Sequence, residues 1–206
     1  MTWQFDKTVA KIFNNHAVQH IPNYNQVIDL CVDICNQQDK SIKIIDVGCA
    51  VGETLKRLHN NGFNNLYGVD SSQSMLNECP TNIATFYCSN QLPAGPYDII
   101  LMNWTLHFVK EKLEYLKQIY ANLNPNGILV ISDKTSLDPT AINFYHNYKR
   151  KQGVSNLDIQ AKEASVKDIM YIDNVEWYQQ TLKEIGFSKI HIVNAFWCFT
   201  TFVCIK

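Results

Sequence analysis

"IIDVGCAVGETLKRL", residues 44–58, is the stretch whose reading decides the fold. A β-branched run, Ile44 to Val47, meets two spaced glycines, Gly48 and Gly52, and then a segment with Leu55 and Leu58 at helical spacing. A buried strand that ends in a glycine turn just before a helix leaves backbone N–H groups unpaired around a small cavity, where they can hold an anionic or nucleotide-like ligand. The spacing is D-x-G-x-x-x-G, from Asp46 through Gly48 to Gly52. It matches neither the G-x-G-x-x-G of dinucleotide binders nor the G-x-x-x-x-G-K-[ST] of phosphate loops, so pyrophosphate and triphosphate ligands are disfavoured.

Outward from that turn the chain repeats one rhythm. Strand-like runs fall at Ile42 to Val47, Asn65 to Val69, Ala84 to Cys88, Asp98 to Met102 and Ile128 to Ser132. Helix-like segments lie between them: Glu53 to Asn61, Ser72 to Cys79, and Glu111 to Leu123 with Leu113, Leu116, Ile119, Tyr120 and Leu123 on one face. Alternating strand and helix predicts a parallel sheet covered on both faces. Residues 1–40 read as a helical cap broken at Pro22, and residues 139–186 as a helical insertion. The end, "SKIHIVNAFWCFTTFVCIK", offers two adjacent strands, so an antiparallel hairpin should complete a mostly parallel seven-stranded α/β sheet. Residues 1–206 read as one domain, for no linker or repeat divides them.

Composition bounds the function. Apolar content of 46%, charged content of 18% and a net charge of −1 describe an ordinary globule with no broad attraction for nucleic acid. No apolar stretch approaches the roughly 20 residues that span a bilayer, and the start "MTWQFDKTVAKIF" lacks a signal-peptide pattern, so a cytoplasmic protein without a membrane partner is expected. The seven cysteines include no C-x-x-C pair and the six histidines are scattered; reduced core thiols and no metal are the expectation.

Open α/β sheets bind ligands beyond the C-terminal strand ends, where the strand order reverses. Asp46, Gly48 and Gly52 end the first strand, Asp70 the second, Ser89 and Asn90 follow the third, and Asn103 to His107 follow the fourth. These should line one cleft. An acid about 20 residues past the glycine turn is placed to accept both hydroxyls of a ribose. Asp46 can alternatively cap its own turn, and His107 has no partner visible in the sequence. Trp104 and Phe199 can wall an acceptor pocket, while Lys149, Arg150 and Lys151 read as a solvated helix face or a local phosphate grip.

The order and spacing resemble class I S-adenosylmethionine-dependent methyltransferases: "IIDVGCAVG" like their first motif, "GVD" like their ribose acid, "YDIILMNWTLHF" and "NLNPNGILVISD" like their fourth- and fifth-strand motifs. The resemblance implies a Rossmann-like fold, with S-adenosylmethionine as cofactor and S-adenosylhomocysteine as product. Over nearly the whole chain, "HIPNYNQVI", "FYHNYKRKQGVSNLDIQ" and "DIMYIDNVEWYQQTLKEIGF" are similar to the carboxy-S-adenosyl-L-methionine synthase family. That family uses prephenate to make a carboxylated S-adenosylmethionine for tRNA wobble uridine modification, and it is homodimeric. The resemblance implies cofactor contacts at Tyr24, Gly48, Cys49, Ala50, Asp70, Ser71 and Asn103, with Ser71 standing where the family has asparagine. The family's arginine for the added carboxylate falls on Glu163.

Two carboxylates a few ångströms apart repel by on the order of 1 to 4 kcal/mol at effective dielectrics of 80 to 20. The expectation is therefore a methyltransferase that uses unmodified S-adenosylmethionine on a small-molecule acceptor, with Glu163 facing an acceptor amine or hydroxyl, His107 and Glu163 as candidate bases, and tRNA not a partner. The synthase activity is the alternative, supported if Lys162, Lys167 or Arg150 replaces the arginine. A catalytically silent cofactor-binding subunit is the second alternative.

Overall fold

The computed structural model describes residues 3–206. Its core is β1 (Ile44–Val47), which pairs in parallel with β2 (Leu66–Asp70) on one side and β4 (Tyr97–Asn103) on the other. With β3 (Thr85–Cys88), β5 (Leu123–Lys134), β6 (Lys189–Phe196) and β7 (Phe199–Ile205), the seven-stranded order is β3-β2-β1-β4-β5-β7-β6. β7 is fitted antiparallel between β5 and β6, and the other pairings are parallel. The chain's direction across the sheet reverses between β1 and β4, which puts a ligand crevice at their C-terminal ends.

The central strands β1 and β4 are buried nearly throughout because both faces are covered, while the edge strands β3 and β6 are largely exposed. Alternate residues of β4 serve opposite cores. Ile100 and Met102 pack with Leu116 of α5 (Lys112–Ala121), Tyr178 of α8 (Val175–Ile185) and Phe202. Ile99 and Leu101 pack with Cys31 of α2 (Tyr24–Asn36) and with Leu55 and Leu58 of α3 (Glu53–Asn60). Each such Leu or Ile, fully buried, contributes roughly 1.5–3 kcal/mol. α1 (Lys7–His20), capped by the Asp6 side chain, and α2 form the N-terminal cap, broken at Ile21 to Asn23 around Pro22. In the 139–186 stretch, α6 (Pro139–Lys151) and α7 (Asn156–Val166), started by caps at Asp138 and Ser155, precede α8. No described helix is long and apolar enough to cross a membrane.

Three expectations are corrected. The helix expected over Glu111 to Leu123 stops at Ala121, and Leu123 instead opens β5, pairing with Tyr97 well before Ile128. Its buried face keeps Leu116 and Ile119 but not Leu113, which is 43% exposed while Lys112 is buried, its ammonium held by the Tyr171 carbonyl and the Asp173 carboxylate. The helix expected over Ser72 to Cys79 shrinks to α4 (Gln73–Leu76), with Ser72 Oγ accepting from the Met75 N–H.

Candidate active site

A cavity of about 310 Å³ lies beyond the C-terminal ends of β1, β2 and β4, roofed by side chains of α1, α6 and α7. Its wall brings together Tyr24, Asp46, Gly48, Cys49, Ala50, Asp70, Ser71, Ser89, Asn90, Asn103, His107 and Glu163. Gly52 is not on that wall. Its φ of +77° lets it start α3, and a Cβ there would stand 3.2 Å from Cys79 Sγ. Gly52→Ala should therefore cost about 1–2 kcal/mol of stability through the left-handed backbone, read as a lowered urea midpoint; an unchanged midpoint would show that the turn does not need glycine.

The donors of the glycine turn are not left unpaired, contrary to the sequence reading. Gly48 and Cys49 both give their N–H to the Val69 carbonyl, at 2.8 and 3.1 Å, and Ala50 gives its N–H to Asp70 Oδ2 at 2.9 Å. The turn is thus folded onto β2, and the free donors move to the first turn of α3, where no side chain caps Gly52. Gly48 (φ +74°) also leaves room for the next loop, since a Cβ there would meet Thr105 Oγ1 at 2.0 Å. Asp70 Oδ1 accepts from the Ser72 N–H at 2.8 Å. A carboxylate has about four lone-pair sites, so Asp70 keeps two for ligand hydroxyls. Burial raises the pKa of Asp70 and pushes Asp46, with Asp70 as its like-charged neighbour, up to about 7.

Also on the wall, Trp104 stacks on Tyr24 with ring centres 4.6 Å apart, and Phe199 belongs to the same apolar cluster as Trp104. The buried Nε1 of Trp104 and Nδ1 of His20 have no hydrogen-bond partner among the described residues. Asn103 gives its side-chain N–H to Cys31 Sγ at 3.4 Å. Lys134, Lys149 and Lys162 share this wall with Glu163. Burial and the neighbouring lysines push Lys162 down to about 6, and burial with Lys134 pushes Lys149 down to about 8. Burial, then the same lysines, lowers His16 to about 4. His107 bonds through Nδ1 to the Asp133 carboxylate.

The methyltransferase domain family matches residues 15–192. The chain belongs to that family. This methyltransferase is 28% identical to the carboxy-S-adenosyl-L-methionine synthase of Actinobacillus pleuropneumoniae, over 98% of this chain and 92% of that protein. It is 29% identical to the synthase of Shewanella sediminis, over 99% and 93%. Among solved structures it shares its fold with a Mesorhizobium loti S-adenosylmethionine-dependent methyltransferase, at TM-score 0.64 and 17% identity, over 87% of this chain and all of that one. The magnesium protoporphyrin IX methyltransferase of Synechocystis with bound S-adenosylhomocysteine matches at TM-score 0.66 and 16% identity, over 91% and 85%. The cofactor of this methyltransferase is S-adenosylmethionine. The site fits it: Asp70 retains acceptor sites, the turn needs no phosphate, and the cavity is roofed.

One sequence expectation beside the lysines is refined and another is corrected. Glu163 lines the cavity as expected but is not alone there: its Oε1 is engaged by His146 Nε2 and lies 4.0 Å from Lys149 Nζ. The run Lys149 to Lys151 is not one face: Lys149 is 2% exposed and turned into the cavity, while Arg150 and Lys151 are exposed. The sequence reading missed Lys134, His16 and His20 on the wall, and Asp133 behind it. Asp133 carried a signal, for it is the penultimate residue of β5, as Asp46 is of β1.

Proposed function

We propose that this methyltransferase moves the methyl group of S-adenosylmethionine onto a small-molecule acceptor held between Trp104, Phe199 and the lysine cluster. The observation that carries the reading is one roofed cavity whose wall holds Asp70, the Asp46–Ala50 turn and His107 together. When bound, the cofactor supplies an activated methyl on a sulfonium, so the protein has mainly to align, dehydrate and deprotonate. Asp70 accepts the two ribose hydroxyls, while Gly48 to Ala50, Ser71 and Asn103 shape the contact with the rest of the cofactor. Ser89 and Asn90, at the open rim after β3, stand beside the adenine. Tyr24 and Trp104 exclude water from the transfer line. His107 takes a proton where the acceptor has one to lose.

Carboxy-S-adenosyl-L-methionine synthesis is the second reading, and Lys134 and Lys149 favour it, because they offer cationic donors that the lost arginine would otherwise supply. The carboxylate at Glu163 weighs on the other side. Mass spectrometry after incubation with S-adenosylmethionine and prephenate separates them: efficient formation of the carboxylated cofactor would overturn methyl transfer, and S-adenosylhomocysteine with a methylated acceptor would support it. Glu163→Arg should bind the carboxylated cofactor more tightly than wild type does, and no gain would remove Glu163 as the discriminating group. Tight cofactor binding with no turnover of any acceptor would favour a silent binding subunit. A small molecule rather than tRNA is the partner, since turning Lys149 inward leaves Arg150 and Lys151 as the exposed remainder of that run. Weak, salt-sensitive tRNA binding is expected in a shift assay; sub-micromolar binding would contradict it.

A further inference from the structure

His107 sits on a single 3-10 turn, Leu106–Phe108, just past β4, and it is the only member of a buried three-residue chain that reaches the cavity. Behind it, Asp133 on β5 is fully buried and Tyr178 on α8 likewise. His107 Nδ1 meets one oxygen of Asp133, and the Tyr178 hydroxyl donates to the other. Both carboxylate oxygens are therefore engaged, from different elements. Burial, and then the Asp133 carboxylate, push the Tyr178 phenol far up, so it stays protonated and keeps donating. Lys112 on α5, whose ammonium lies 5.7 Å from the Tyr178 ring, is bonded to the Tyr171 carbonyl and the Asp173 carboxylate and not to Asp133. His107 is also held by its backbone, whose carbonyl accepts from the Tyr171 N–H at 2.7 Å. Among the described residues, its Nε2 makes no hydrogen bond.

We propose that Asp133 and Tyr178 are positioning residues that fix His107 with its Nδ1–H on the Asp133 carboxylate and its Nε2 lone pair turned to the acceptor, whose proton it takes. An imidazole has one donor and one acceptor nitrogen when neutral, and a carboxylate on Nδ1 decides which is which. The inference rests on the methyl-transfer reading above. As the acceptor heteroatom bonds to the methyl carbon, the carbon–sulfur bond breaks and its electron pair stays on sulfur. The acceptor's proton passes to Nε2. The resulting imidazolium is stabilised by the buried Asp133 carboxylate and later releases the proton to solvent. Neither Asp133 nor Tyr178 touches the cavity wall, so both act through His107.

A purely structural role would leave the imidazole tautomer and its reactivity unmoved. Long-range proton–nitrogen NMR on ¹⁵N-histidine protein near pH 7.5, where a neutral imidazole is the reference form, assigned with His107→Gln, should show the Nδ1–H form. In Asp133→Asn, whose amide can donate to Nδ1, the Nε2–H form should grow. Diethyl pyrocarbonate, mapped by peptide mass spectrometry, should modify His107 at Nε2 in wild type and at least about tenfold more slowly in Asp133→Asn, because the lone pair is lost to a proton. Tyr178→Phe keeps the carboxylate and provides a milder second variant, with slowing of roughly two- to fivefold. The Nε2–H form in wild type, or equal reactivity in wild type and both variants, would overturn the relay. The expected tautomer and reactivities, with no S-adenosylhomocysteine formed from any acceptor, would instead overturn methyl transfer, so the two failures are distinct.

Discussion

Asp70→Ala is expected to bind S-adenosylmethionine about 30- to 900-fold more weakly than wild type, equivalent to roughly 2–4 kcal/mol, when two hydrogen bonds to an ionised acceptor are lost. The structure adds a control to that expectation. Asp70 also accepts from the N–H groups of Ala50 and Ser72, so alanine would loosen the turn as well as remove the ribose acceptor. Asp70→Asn retains one acceptor oxygen and should fall between wild type and alanine. Titration calorimetry on all three proteins is the measurement, with urea unfolding to report turn integrity. Unchanged affinity in Asp70→Ala would remove Asp70 from the cofactor site. Reduced affinity only in proportion to reduced stability would leave it a turn residue.

Asp46→Asn is expected to be more stable than wild type at pH 8, and to lose that advantage towards pH 4. Asp46 is 3% exposed, and burial followed by repulsion from Asp70 raises its pKa from 3.8 to about 7. A raised carboxyl pKa means that the folded state holds a proton the unfolded chain has already released. The resulting contribution is fully present below the unfolded value of 3.8, and is lost as pH rises through the folded value of about 7. Across that window the linked change is on the order of 4 kcal/mol, at 1.36 kcal/mol per unit. Urea unfolding of both proteins from pH 4 to pH 8 checks it. Parallel stability curves would show that Asp46 ionises freely, and would leave it as a simple cap of its turn.

The sheet was largely legible in the sequence because its signals are local. Ile44 to Val47 are buried on both faces, and the β-branched Ile44, Ile45 and Val47 around Asp46 read as a strand; Gly48 and Gly52 adopt the positive φ that a strand-to-helix turn demands. The acids at the ends of β1 and β2 are set by strand length alone, and so Asp46 and Asp70 were found without any tertiary contact. Where a local signal was ambiguous, packing decided. Leu113 and Lys112 are adjacent on α5, and the helical pattern favoured Leu113 as the inward residue. Leu116 and Ile119 face the core as that pattern requires, but the bonds from Lys112 to Tyr171 and Asp173 put Lys112 inside and leave Leu113 outside.

The sequence by itself therefore determined the strand and helix alternation, the glycine turn, the acids at the strand ends and the family. These depend on backbone sterics and short-range periodicity, which act over a few residues. Only the tertiary structure decided what faces the acceptor. α7 has buried residues at Ile159 and Val166 alone, so its pattern could not say that Lys162 and Glu163 turn toward the cavity. Lys149 on α6 points inward while its neighbour Arg150 points out, and Lys134 comes from the last residue of β5. His107, Asp133 and Tyr178 meet from three elements, at sequence separations of 26 and 45 residues. Such convergence depends on how the helices dock on the sheet, and that is fixed by the summed packing of both cores rather than by any residue's immediate neighbours.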